Sequence, residues 1–282
     1  MVGRDLARLG VLCLLLSGCD TRRVFDPDPV PSAPQKIVFS SNRDDSHYEI
    51  YIMEVDGTRV TRLTNNAVED AAPLFSPDGS KITFRRATNP SSVFVMNADG
   101  THQVGLAPGE GAAWSSDGSK LALVTDSLCV MNSDATGKRS LGVGATFAAW
   151  KPDGSKIAYV STGLGGQVQN EIYTIYPNGT GAVRITSDGA AKGSLDWSPD
   201  GTKMVYSAGQ SVYVINADGT GLSSPAVGRD ARWSPDGQRI IFVTDALDGN
   251  EEVYSVRLDG TDPQNLSRNH ANDIEPDWGP RR

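Results

Sequence analysis

Cysteine, histidine and basic residues are scarce in this sequence, and each scarcity excludes a class of protein. Three cysteines among 282 residues are too few for a disulfide scaffold. Acidic residues outnumber basic ones by 34 to 26, which gives a formal charge of −8. This balance argues against nucleic acid as a partner, because phosphates attract a basic surface. No Gly-x-Ser-x-Gly, Walker or Cys-x-x-Cys motif is present, so the sequence offers no familiar catalytic set.

Long apolar runs are also missing. Residues 9–16 (LGVLCLLL) form a short apolar run, whereas a membrane-spanning helix needs roughly 20 residues. The run follows two arginines and ends in Leu16-Ser-Gly-Cys19, which resembles the lipobox of bacterial lipoproteins. The resemblance implies that residues 1–19 are a signal peptide with its lipobox, and that Cys19 carries a lipid after cleavage. The alternative is an ordinary signal peptide that happens to contain a cysteine.

The segment after Cys19 is predicted to be a tether. Residues 20–35 contain four prolines, and such a stretch forms an extended linker. A lipid on Cys19 would be the only contact with the membrane. It would place the domain in the bacterial cell envelope, facing the periplasm or the exterior, with the choice of membrane left open. The folded domain is expected to occupy residues 36–282.

Six copies of one unit follow the linker. Each contains a basic residue and then three mostly apolar ones: Lys36-Ile-Val-Phe39, Lys81-Ile-Thr-Phe84, Lys120-Leu-Ala-Leu123, Lys156-Ile-Ala-Tyr159, Lys203-Met-Val-Tyr206 and Arg239-Ile-Ile-Phe242. Five copies are preceded by a turn that ends in Asp-Gly, as in Ser76-Pro-Asp-Gly79, and a large aromatic residue stands before each of these turns. A second turn, Asp-Gly-Thr in several copies, follows another apolar strand. Proline and glycine at these positions favour tight hairpins.

Four short strands per copy, six times over, predict an all-β fold, a six-bladed β-propeller. The two ends of the repeat region support closure of the ring. The first strand-like segment, residues 37–40, matches the second strand of a unit, whereas the last, residues 274–278, matches the first. We therefore predict that both termini share one blade. Its innermost strand comes from the C-terminal segment, and its outer three strands come from residues 37–66.

The most specific motif is Asp-x-x-Pro-x-aromatic, at Asp70-Ala-Ala-Pro-Leu-Phe75 and Asp273-Ile-Glu-Pro-Asp-Trp278. With the Lys-Ile-x-Phe and Ser-Pro-Asp-Gly segments it resembles the repeat of TolB-type propellers over residues 36–280. TolB has an additional N-terminal α/β domain, in whose place this sequence has only the linker. The resemblance thus implies a TolB-like lipoprotein without that domain. TolB-type propellers bind a peptidoglycan-associated lipoprotein across the channel mouth, which implies a protein- or peptide-binding scaffold.

Binding is predicted on one face of the ring. Alternating strand directions place both kinds of turn on the same side, the turn face. The loops at residues 41–47, 161–170 and 244–250 vary in length and lie with the blade crossings on the opposite side, the loop face, where we expect function. The candidate partner-binding residues there are Asp70, Asp273, Glu275, Glu69, Asp245 and Asp248. We expect Asp70 and Asp273 to face the channel mouth.

Three roles stay open for these carboxylates: binding a basic peptide, binding Ca²⁺, or forming a solvated acidic rim. The predicted function is a non-catalytic scaffold for a cell-envelope protein or peptide, without a cofactor. The alternative is a carbohydrate-binding protein, or a propeller-type lyase or hydrolase, acting at the channel mouth. A three-histidine metal site is not expected, because His47 and His270 fall on the loop face and His102 on the turn face. Cys129 and the tryptophans are expected in the core.

Overall fold

The computed structural model describes residues 35–44, 46–246 and 249–281. These residues form 24 β-strands, and a helix long and apolar enough to cross a membrane is not found among them. The predicted signal peptide, the lipobox with Cys19 and all but the last residue of the predicted linker lie outside the described residues. The strands form six sheets of four, which confirms the prediction of an all-β, six-bladed propeller.

Each sheet is one blade, built from antiparallel strands. The innermost strands are β4 (Asp70–Phe75), β8 (Gly111–Trp114), β12 (Ala145–Trp150), β16 (Lys192–Trp197), β20 (Arg229–Trp233) and β24 (Asp273–Gly279). The second strands are β5 (Lys81–Arg86), β9 (Lys120–Val124), β13 (Ile157–Ser161), β17 (Lys203–Ala208), β21 (Arg239–Thr244) and β1 (Lys36–Ser41). In this order we number blades 1 to 5 and call the sixth the closing blade.

The outer half of each blade is less regular. The third strands are β6 (Ser92–Asn97), β10 (Leu128–Asn132), β14 (Ile172–Ile175), β18 (Ser211–Asn216), β22 (Glu252–Arg257) and β2 (Glu49–Glu54). The fourth strands are β7 (Val104–Pro108), β11 (Arg139–Ser140), β15 (Val183–Arg184), β19 (Ser223–Val227), β23 (Gln264–Asn265) and β3 (Thr61–Arg62). Four of the fourth strands are only two residues long, so the blades taper towards their outer edges.

The closing blade joins the two ends of the repeat region. Its strand order is β24-β1-β2-β3, and Trp278 of β24 lies opposite Ile37 of β1. Strand β24 also contacts β4 of blade 1 and β20 of blade 5. The prediction that both termini share one blade, with its innermost strand from the C-terminal segment, is therefore confirmed.

The Ser-Pro-Asp-Gly turns have a clear local cause and also help to close the ring. The hydroxyl of Ser76 donates to Asp78 at 2.6 Å and accepts the backbone N–H of Lys81 at 2.9 Å. Gly79 has a φ of +71°, and a Cβ there would lie 2.9 Å from the Pro280 ring. Only glycine combines this backbone conformation with such a close approach. The turn of blade 1 therefore seats directly on the closing blade.

The hydrophobic core consists of clusters between neighbouring blades. Between the closing blade and blade 1, for example, Val38 and Ile50 pack on Phe75 and Ile82. Cys129 is buried in another of these clusters, as predicted. Four of the five tryptophans are at most 8% exposed. No described residue accepts a hydrogen bond from the buried indole nitrogens, so the tryptophans contribute through packing.

Candidate functional site

The innermost strands run from the loop face to the turn face, and their first halves share an irregularity. All of them except β8 show a register shift against the second strand. Within three of these shifts Ala72, Asp230 and Glu275 have φ values of 52–53°, a conformation that is uncommon for residues other than glycine. A β-bulge re-aims the side chain of its residue. The three positions are equivalent, each three residues before the strand's aromatic residue.

Glu275 is the first of two carboxylates at this level of the channel. Its Oε2 accepts the backbone N–H of Ala72 in blade 1 at 2.7 Å and the hydroxyl of Ser40 at 3.2 Å. Its Oε1 has no hydrogen-bond partner among the described residues and is not fully buried. Burial raises the pKa of Glu275, and the negative charge of Asp230 raises it further. A positive charge placed beside Oε1 would stabilise the ionised form.

Asp230 in blade 5 is the second carboxylate. Burial raises the pKa of Asp230, against the opposing positive charges of Arg229 and Arg232. Its Oδ2 accepts from the Arg229 guanidinium, whereas Oδ1 has no hydrogen-bond partner in the part of the chain that the structure describes. Glu275 and Asp230 thus stand on adjacent inner strands, each with one oxygen available.

Two ion pairs flank these carboxylates. Arg229 also binds Glu251, and Arg85 binds Glu69 at 2.8 Å. The side chains of Glu251 and Glu69 are 30% and 37% exposed. Glu275 and Glu69 are both predicted from the sequence, and the positive charge of Arg85, the partner of Glu69, opposes the rise in the pKa of Glu275. We call Glu275, Asp230 and the two flanking ion pairs the loop-face site.

Asp70 and Asp273 are placed differently from the prediction. Both side chains are fully buried. The two oxygens of Asp70 accept from Arg86, each at 2.7 Å, and those of Asp273 accept from Arg43 at 3.0 and 2.9 Å. Each arginine lies over two aromatic rings of its own blade, 4.6–5.3 Å from the ring centres. The expectation that these two aspartates face the channel mouth is wrong, because both are held in ion pairs inside their blades.

The remaining two candidates, Asp245 and Asp248, belong to the loop between β21 and β22. Asp245 is exposed there and lines a small cleft together with Arg229 and Glu251. It is therefore next to the loop-face site. Asp248 lies outside the described residues.

Comparison with known proteins agrees with this geometry at the level of the fold. No family model matches the sequence. A curated TolB homologue from Chlorobium luteolum is 28% identical over 176 residues, which cover 60% of this chain and 30% of the homologue. The crystal structure of TolB from Acinetobacter baumannii matches with a TM-score of 0.74 at 18% identity, over 86% of this chain and 66% of that chain. The domain is a TolB-like β-propeller.

A second group of solved structures shares the fold. Oligogalacturonate lyase from Vibrio parahaemolyticus matches the TolB-like propeller with a TM-score of 0.52 at 15% identity, over 82% of this chain and 74% of that chain. At this identity the likeness concerns the fold alone.

The chain spans about a third of the length of the curated TolB homologue, so the activity and partners of the whole homologue are a matter for proposal.

Metal binding has no candidate site in the described ranges. No group of three or more His, Cys, Asp or Glu side chains within residues 35–44, 46–246 and 249–281 is placed to hold a metal ion. His47 lies 2.9 Å from the carbonyl oxygen of Asn66, and His102 contacts Asn97 beside an exposed turn. Binding of Ca²⁺ by the candidate carboxylates stays one of the three roles that the sequence leaves open.

Sequence reasoning does not single out Asp230, although a signal for it exists. Asp230 stands three residues before Trp233, as Glu275 stands three residues before Trp278. An alignment of the inner strands on their aromatic residues pairs the two acids. The sequence has no comparable signal for the positive-φ bulge that orients these two side chains, because neither position holds a glycine.

Glu275→Gln is expected to raise the melting temperature at pH 7–8 and to have less effect as the pH falls towards 4. Because the pKa of Glu275 is raised in the folded state, its favourable contribution is complete below its unfolded pKa and is lost as the pH rises through its folded pKa. Glutamine keeps an oxygen for Ala72 and Ser40 without the buried charge. Circular-dichroism melts at pH 4 to 8 test this, with the exposed Glu110→Gln as the control. A Glu275→Gln protein that melts below wild type at pH 7 would contradict the assignment.

Proposed function

We propose that the TolB-like propeller is a lipid-anchored, non-catalytic scaffold of the bacterial cell envelope, which binds a protein or peptide at the loop-face site. The observation that carries the proposal is the pair formed by Glu275 and Asp230. Two carboxylates with raised pKa values stand on adjacent inner strands, and each keeps one oxygen without a hydrogen bond from the described residues. The lipobox-like segment ending at Cys19 supports the anchor.

The site favours a basic group of a protein partner. A lysine or arginine side chain would donate to the two available oxygens and place a positive charge beside Glu275, which has no ion-pair partner among the described residues. Such charge-assisted hydrogen bonds are about twice as strong as neutral ones. The formal charge of −8 also favours the approach of a basic partner. The half-buried Glu69 and Glu251 and the exposed Asp245 extend the acidic surface around the opening.

The likeness to TolB supports a protein partner over a carbohydrate. A catalytic role would be indicated by a divalent metal that copurifies with the full chain in stoichiometric amount. A binding scaffold does not require it.

The test is a crosslinked pull-down from native envelopes, followed by affinity measurement with the purified captured protein. Glu275→Gln combined with Asp230→Asn is expected to weaken binding at least about tenfold, since a hydrogen bond to a charged group contributes about 1.5–3 kcal/mol. Wild-type binding should also weaken at low pH, where both carboxylates become protonated. Asp218→Asn, an equivalent change in an exposed turn on the opposite face, is the matched control.

Equal capture by wild type and by the double variant would overturn the loop-face site. If only Asp218→Asn loses capture, the binding surface lies on the turn face.

A further inference from the structure

A cavity lies at the turn-face end of the channel, opposite the loop-face site. It has a volume of about 150 Å³ and opens between the Ser-Pro-Asp-Gly turns, whose prolines form part of its wall. The residue immediately before the aromatic residue of every inner strand lines it: Leu74, Ala113, Ala149, Asp196, Arg232 and Asp277. Three successive blades therefore supply an apolar half, and the next three supply a charged half.

Each carboxylate oxygen of the charged half already accepts a hydrogen bond within the protein. Arg281 spans the cavity wall and donates to Asp196 at 2.6 Å and to Asp277 at 2.8 Å. The second oxygen of Asp196 accepts the backbone N–H of Trp233, and that of Asp277 accepts the backbone N–H of Phe75, both at 2.9 Å. All four carboxylate oxygens therefore have a partner within the protein.

The donors of the charged half are not used up. Arg232 makes one hydrogen bond to the described residues, from Nη1 to the carbonyl oxygen of Leu195 at 3.0 Å. To partners among the described residues, Arg281 donates through three of its five N–H groups. Arg281 is thus paired with both aspartates, whereas Arg232 has no ion-pair partner among the described residues. A ligand that brings a negatively charged acceptor would complement Arg232.

We propose that this turn-face cavity is a binding site for a carboxylate attached to one small apolar group. The planar guanidinium of Arg232 matches the two oxygens of a carboxylate, while Leu74, Ala113 and Ala149 receive the apolar part. An apolar cavity of about 150 Å³ is large enough for a benzene ring. The same chemistry occurs in a free aryl or alkyl carboxylic acid and at the C-terminus of a peptide that ends in an apolar residue. The site is at the opposite end of the channel from the loop-face site and does not rest on the proposed function.

The experiment uses the full chain and its own fluorescence, because Trp114, Trp150 and Trp197 line the cavity. Titration with 3-phenylpropionate is expected to change the emission, and 3-phenylpropionamide should bind at least tenfold more weakly. A short peptide ending in Ala-Phe, with a free or an amidated C-terminus, distinguishes a peptide source from a small-molecule source. Tighter binding of the free-acid peptide than of 3-phenylpropionate assigns the site to a chain end, and the reverse assigns it to a metabolite-sized acid.

Two variants separate the two halves of the cavity. Arg232→Gln keeps a donor for Leu195 and should weaken the acid at least tenfold while leaving the amide unchanged. Ala149→Leu fills the apolar half and should weaken both probes. Arg257→Gln, at an arginine of the same blade that is 62% exposed, is the control and should bind the acid like wild type. The proposal is overturned if the acid and the amide bind equally, if neither binds at millimolar concentration, or if folded Arg232→Gln binds the acid like wild type.

Discussion

Deletion of residues 274–282 is expected to abolish cooperative folding of the TolB-like propeller. This segment contains nearly all of β24, which pairs with β1 and contacts blades 1 and 5. Its loss removes the buried Trp278 and leaves β1 as an exposed edge in the middle of the ring. Truncating one buried tryptophan alone costs about 3–5 kcal/mol, and a whole domain is usually stable by about 5–15 kcal/mol. Loss of the strand ladder and of two blade interfaces adds to the cost of the tryptophan.

The matched control is deletion of residues 20–35, which removes a longer segment. Only Gln35 of that segment is described, and it is exposed outside the strands. We expect the unfolding free energy of the protein without residues 20–35 to stay within about 0.5 kcal/mol of wild type. Urea unfolding, followed by tryptophan fluorescence and circular dichroism, compares the two deletions. If both proteins unfold cooperatively at the same urea concentration, β24 does not close the ring as described.

Ring closure could be predicted because the information is local. Each strand type has its own turn signal, so residues 37–40 and 274–278 are recognisable as the unmatched members of one unit. The bulges of the inner strands carry no such signal. Glycine marks a left-handed residue in the turns, but Ala72, Asp230 and Glu275 adopt this conformation without it. The surrounding blade, and not the residue, dictates the backbone there.

The same bulge explains why the role of Asp70 was not predicted. Counted from the turn, with Phe75 opposite Ile82, a regular hairpin places Asp70 opposite Ala87. The structure places it opposite Arg86, because the bulge absorbs one residue between Ala71 and Leu74. A regular hairpin would leave the Asp70 carboxylate without a partner at the channel mouth. The bulge instead brings it against the Arg86 guanidinium. Because the sequence does not reveal the bulge, it does not distinguish an aspartate in a buried ion pair from an aspartate that binds a partner.

Asp70→Ala is expected to destabilise the propeller by about 3–5 kcal/mol, the usual cost of removing one partner of a buried ion pair. The side chain of Arg86 is 16% exposed. The substitution leaves its guanidinium with the Gln103 side chain as its one hydrogen-bond partner among the described residues. Glu69→Ala is a closely matched control. Glu69 is the adjacent acid, paired with the adjacent arginine, but its side chain is 37% exposed. Exposed pairs of this kind contribute about 0–1 kcal/mol.

Urea unfolding of the two variants distinguishes a structural aspartate from a binding one. Asp70→Ala should shift the midpoint strongly, and combining Asp70→Leu with Arg86→Met should recover part of the loss, because no uncompensated charge is then buried. Glu69→Ala should leave the midpoint almost unchanged and weaken only partner binding. If Asp70→Ala keeps the wild-type midpoint and loses the partner instead, Asp70 belongs to the binding surface. In that case the ion pair with Arg86 contributes nothing to holding the blade.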